Sequence, residues 1–77
     1  MKRLLSPIQV ETSKGWPVQL FWKNRTIRVH QPLDYWIRES RWWADAEKRV
    51  YFFLETDAGI LEIYRAGSTW ILARRVD

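Results

Sequence analysis

Seventy-seven residues carry 13 Lys and Arg against 9 Asp and Glu, for a formal charge of +4. So short a chain makes one domain whose core gives marginal stability unless something staples it. There is no cysteine and a single histidine, so a disulfide and a cysteine-ligated metal are excluded and a histidine-based metal site is not expected.

The staple is aromatic. Six Trp, three Tyr and three Phe are present, and each buried ring removes roughly 150–250 Å² from water. No stretch approaches the ~18 apolar residues of a membrane span. The basic start Met1-Lys2-Arg3-Leu4-Leu5 loses its apolar run at Ser6-Pro7, too early for a secretory signal. The expected location is cytoplasmic, with no membrane partner.

In chain order, residues 1–6 read as a flexible arm. Pro7–Thr12 alternates, with Ile8 and Val10 inward. Ser13–Trp16 is a turn, and Pro17 opens a strand with Val18, Leu20 and Trp22 on one face. Lys23-Asn24-Arg25 is a tight connection, Asn24 being the residue that best tolerates positive φ there. Thr26–His30 alternates again, with Ile27 and Val29 inward and Arg28 and His30 outward.

Pro32 bends the chain. Leu33–Glu39 fits a strand, with Leu33, Tyr35 and Ile37 against Asp34, Trp36 and Arg38; it also fits a short helix through Leu33, Trp36 and Ile37. The extended form is preferred, because a helix so short is not stable by itself. Ser40–Lys48 favours a helical turn or a polar loop.

Arg49–Arg65 is the strongest signal. Two strands rich in branched and aromatic residues flank Thr56-Asp57-Ala58-Gly59, a hairpin turn. A two-residue turn on Asp57-Ala58 pairs Leu54 with Leu61 and Phe52 with Ile63, burying Val50, Phe52, Leu54, Leu61 and Ile63. A glycine bulge at Gly59 would slip the register by one and exchange the faces. Core consistency favours the first and turn chemistry the second. Thr69–Val76 is the last strand, with Trp70 and Leu72 inward.

These elements predict a mainly β chain: a small antiparallel, partly open SH3-like β-barrel of about six strands, with a helical turn or loop near 40–48. A flat sheet packed by one helix at 33–48 is the alternative.

Trp42-Trp43 is the oddest local feature. Neighbours on a strand face opposite sides, so one indole can cap the core while the other is left as an interface anchor. Arg38, Arg41, Arg49, Arg74 and Arg75, interleaved with Trp36, Tyr51 and Tyr64, give the composition of a nucleic-acid surface. Solvated strand edges would have the same composition. The candidate binding residues, for protein or nucleic acid, are therefore Trp36, Arg38, Arg41, Trp42, Trp43, Arg49, Tyr51, Tyr64, Arg74 and Arg75. No catalytic, cofactor or metal residue is assigned. The serines lack a neighbouring base, and His30 would gain interest only in a pocket beside a carboxylate, which is not expected.

The order Pro7-Ile8-x-Val10, Phe21-Trp22-x-Asn24-Arg25, Trp36, Trp42-Trp43, Arg49-x-Tyr51-Phe52, Glu62-Ile63-Tyr64 and Trp70-x-Leu72 before Asp77 resembles a small uncharacterised bacterial family classed as a domain of unknown function. It is similar to the C-terminal tail of the catalytically inactive, Y-family-polymerase-like subunit of the bacterial translesion mutasome. Asn24 stands where that pattern has Gly, and Val76 where an aromatic is common. The resemblance carries no catalytic residues. It implies a non-catalytic interaction module accessory to DNA repair or translesion synthesis, docking on a repair protein or polymerase subunit. Composition alone offers the alternative of a small barrel that binds single-stranded nucleic acid.

Overall fold

Alternating side chains, tight turns and the lack of any long helical stripe produce six strands in sequence. They are β1 (Lys2–Ser13), β2 (Trp16–Trp22), β3 (Arg25–Trp42), β4 (Asp45–Thr56), β5 (Gly59–Ala66) and β6 (Thr69–Val76). The computed structural model describes the backbone of residues 2–42 and 45–76 and the side chains of 5–39 and 48–76. Each strand pairs antiparallel with the next, and β6 pairs with β1, so the barrel is closed. It fits a small barrel of SH3-like type. The predicted opening is absent because two long strands each serve two partners.

β1 pairs with β6 through Ile8↔Trp70 and with β2 from Gln9↔Phe21 onward. β3 pairs with β2 over Arg25–Arg28 and with β4 from Val29 to Trp42. Bulges supply the bends: β1 shifts register between Arg3 and Ser6 and between Glu11 and Thr12, and β3 between Val29 and Gln31 and between Pro32 and Asp34. Pro32 thus stands at a bulge, where a missing amide costs least.

Two expectations for the chain's ends and middle are corrected. Residues 1–6 are not an arm: from Lys2 the chain is strand, pairing Lys2↔Arg75 and Arg3↔Arg74. Residues 40–42 and 45–48 are strand, not the expected helical turn or loop, and residues 43–44 of that expectation lie outside the described residues. Ser40↔Glu47, Arg41↔Ala46 and Trp42↔Asp45 continue the β3–β4 ladder. A ladder already running through Ile37↔Val50 adds each further pair without new nucleation, and that outweighs the helix preference of Ala44–Lys48.

The core is Leu20, Ile27, Phe52, Leu54, Leu61, Ile63 and Leu72, with Ile8, Val10, Trp22, Val29, Val50 and Trp70 packed against it. All were expected inward. Val18 is instead exposed, because the register shift between Glu11↔Gln19 and Thr12↔Pro17 skips it and turns Pro17 inward in its place. One barrel end is sealed by rings: Trp16 meets Phe52 edge-on at 5.9 Å and Tyr35 at 5.3 Å, and Trp70 lies 5.7 Å from Phe52.

The central hairpin takes the two-residue register, unbroken from Arg49↔Ala66 to Thr56↔Gly59. Gly59 nevertheless has φ +96°, the conformation that turn chemistry asked for. Both signals are therefore met. Thr56 Oγ1 donates to the Gly59 carbonyl at 2.7 Å and accepts the Ala58 amide at 3.0 Å, closing the turn. The Asp57 amide donates to the Arg28 carbonyl at 3.1 Å, fastening the hairpin tip to β3.

Candidate functional site

Alternation along β4 fixes two faces. Phe52 and Leu54 point into the barrel, so Arg49, Tyr51 and Phe53 point out. Trp36↔Tyr51 and Arg38↔Arg49 are directly opposed across β3–β4, and Tyr51↔Tyr64 across β4–β5. Opposed residues share a face, which sets Trp36, Tyr51 and Tyr64 in a row across three strands. Trp36 and Tyr51 stack with centroids 5.4 Å apart and planes 1° apart. Tyr51 and Tyr64 follow at 5.1 Å, and Phe53 lies 5.9 Å from Trp36.

Guanidinium groups interleave with these rings. Arg38 Cζ is 5.9 Å above Tyr51, Arg49 Cζ 5.0 Å above Tyr64 and Arg74 Cζ 5.9 Å above Phe53. Like charges directly opposite on a ladder repel. Arg38 and Arg49 hold that arrangement with the ring quadrupoles beneath them.

A trough of about 310 Å³ runs over this surface, lined by Trp36, Arg38, Arg49, Tyr51, Tyr64 and Arg74, with Glu62, Ala73 and Leu5. Glu62 is buried, and its Oε1 accepts from Arg74 Nε and Nη2, both at 2.9 Å. Three cations thus face one carboxylate, and that carboxylate is already engaged.

Six of the ten candidate residues come together here. Arg75 does not: it is exposed, with Leu61 as its cross-strand partner, on the opposite parity from Arg74. The side chains of Arg41 and Trp42, and all of Trp43, lie outside the described residues. Three trough residues were not among the candidates. Glu62 shares parity with Tyr64, so the correct register places it on this face, as it does Phe53 beside the trough. Leu5 and Ala73 sit at the bulges of β1 and β6, where the paired register shifts; Leu5 has φ +48°. Strict alternation cannot find such residues.

His30 Nε2 and Asp57 Oδ1 are hydrogen-bonded, so the lone histidine does meet a carboxylate. Both side chains are about half exposed, at 47% and 53%, and the pair stands on the barrel surface. It pins the hairpin tip to the β3 bend beside the Asp57 amide bond. Among the described residues no group of three His, Cys, Asp or Glu could hold a metal. A second cleft, of about 560 Å³, opens where β1 bends past the β2–β3 turn. It is lined by Pro7, Phe21, Trp22, Lys23 and Arg25 among others, and among the described residues no carboxylate or histidine lines it.

No family model, curated protein or solved structure matches the chain. The functional reading therefore stands on the trough itself.

Proposed function

We propose that the chain is a non-catalytic interaction module whose aromatic–arginine trough takes single-stranded nucleic acid. One observation carries this reading: among the described residues, Arg38, Arg49 and Arg74 line one trough with the row of Trp36, Tyr51 and Tyr64, and Glu62 is the carboxylate in that lining. Guanidinium planes laid on rings offer flat cationic surfaces on which an unpaired base stacks, while the same charges neutralise phosphates. A duplex offers no free base faces to such a row. The similarity to the mutasome subunit tail would put the module beside DNA repair or translesion synthesis.

The test is anisotropy of a labelled single-stranded oligonucleotide. Binding at low salt should weaken as salt rises, with a log–log slope of about −1.4 if Arg38 and Arg49 neutralise two phosphates. Arg49→Ala and Tyr64→Ala should each weaken it by about tenfold or more, since a stacked base contributes roughly 1–3 kcal/mol. Absence of binding at low salt by folded protein rejects the reading.

A second reading is a protein partner, such as a repair or polymerase subunit. It is favoured by the mutual stacking of Trp36 and Tyr51, in which each ring already covers one face of the other, and by the Trp, Tyr and Arg content typical of interface anchors. Loss of capture of a purified repair or polymerase subunit by Tyr64→Ala, with no oligonucleotide binding by the parent, would select it.

A further inference from the structure

We propose that the free edge of β3 pairs with the same edge of a second copy, joining two barrels about a two-fold axis through Trp36. β3 is paired with β2 only as far as Arg28 and with β4 from Val29 to Trp42. Among the described residues, no strand lies on the other side of β3 beyond its bend. From Asp34 to Trp42 its ladder to β4 is regular. A long, regular, unpaired edge is a template for another strand. The apolar side chains along it are open: Tyr35 and Ile37 are each 52% exposed.

The Tyr35 amide donates to its neighbour Asp34 Oδ1 at 2.8 Å, which sets it on the free side, and Asp34 releases it on turning to Arg38 of the second copy. The alternation of an antiparallel ladder then turns the Ile37 amide the same way. Opposed in a second copy, Tyr35 and Ile37 exchange both of their backbone bonds. The two-fold repeats that exchange, making four bonds in all.

The side chains choose the occupant. Residues Asp34-Tyr35-Trp36-Ile37-Arg38 are self-complementary when run antiparallel about Trp36. Asp34 then meets Arg38 of the second copy on the trough face, twice by symmetry. Tyr35 meets Ile37 on the barrel-interior face, also twice, and Trp36 meets Trp36. Charge meets charge of opposite sign and apolar meets apolar at every position, as a two-fold interface requires. Moving the centre to Arg38 sets Arg38 against itself and Ile37 against Glu39; moving it to Ile37 sets Tyr35 against Glu39. The bulge between Pro32 and Asp34 ends the pairing on one side. A two-fold perpendicular to the sheet keeps both trough faces on one side, so the two rows of rings form one continuous surface across the pair. The self-pairing does not depend on what the trough binds.

Sedimentation equilibrium on the full chain tests this with a charge cycle. The parent should self-associate to a dimer as concentration rises. Asp34→Arg and Arg38→Asp each place like charges opposite one another, and each should weaken dimerisation at least tenfold. The double variant D34R/R38D restores opposite signs and should recover it. An equimolar mixture of the two single variants should form a heterodimer, because Arg at position 34 and Arg38 of one copy then face Asp at position 38 and Asp34 of the other. Recovery in the mixture also shows that both single variants are folded. A parent that stays monomeric, single reversals that dimerise like the parent, or a mixture that fails to recombine would each overturn the proposal.

Discussion

Glu62 shows what a single residue on this surface costs and contributes. Its side chain is 11% exposed, and Arg74 at 35% holds it from β6. A nearly buried carboxylate stripped of its cation is expensive to keep charged. Arg74→Met should therefore destabilise the fold by about 2 kcal/mol, whereas Glu62→Gln, which leaves an acceptor for Arg74, should cost about half as much. Urea unfolding followed by Trp fluorescence measures both. Equal costs, or a milder Arg74→Met, would show that the pair is not what stabilises the carboxylate. At this scale the sequence was readable where alternation holds. Phe52, Leu54, Leu61 and Ile63 fall inward as the pattern requires. It was silent on Glu62 because the pattern treats every charged residue as solvated. The engagement of Glu62 is set by Arg74, twelve residues away and on another strand.

Elements are held in register by their turns, and two of those turns are under different degrees of strain. The β2–β3 connection uses Lys23 at φ +50° and Asn24 at φ +60°, a left-handed pair that suits Asn-Gly far better than Lys-Asn. Lys23→Asn with Asn24→Gly should stabilise the fold by about 1 kcal/mol, raising the melting temperature by about 4–8 °C in a domain of this size. The β4–β5 turn works in the opposite direction. Gly59 at φ +96° cannot accept a Cβ without strain, so Gly59→Ala should cost at least about 1 kcal/mol. Calorimetric melts of the two variants should move in opposite directions. Residue types announce such turns, which is why the connections at Lys23-Asn24 and Asp57-Gly59 were legible. The extent of β3 was not. Its 18 residues include Pro32 and two bulges, and its partner stretch on β4 carries Ala46 and Glu47; each reads locally as a break. Only pairing with β4 makes them one strand.

For the whole molecule the decisive contact is the one between the two ends of the described chain. β1 closes on β6 through Lys2↔Arg75, Arg3↔Arg74, Ser6↔Leu72 and Ile8↔Trp70. Nothing local predicts this, because a strand of Lys-Arg-Leu-Leu-Ser beside a proline has no turn linking it to its partner. Closure depends on the barrel curling far enough for distant edges to meet. The consequence is testable with a chain that starts at Pro7. A mere arm could be removed without effect. A closing segment cannot: its loss removes Lys2↔Arg75, Arg3↔Arg74 and Ser6↔Leu72 from the β6 ladder, beside Leu72, which is 1% exposed in the intact barrel. Burial of a leucine is worth about 1.5–3 kcal/mol, and the lost ladder adds to that in a domain whose total stability is small. The truncated chain should melt at least about 10 °C below the parent or lose its cooperative transition. It should also self-associate through the bared edge of β6, by a route that Asp34→Arg does not block. A truncated chain that melts within about 2 °C of the parent would mean that Pro7↔Ile71 and Ile8↔Trp70 close the barrel by themselves, and that the trough, whose far wall includes Leu5, owes nothing to the first six residues.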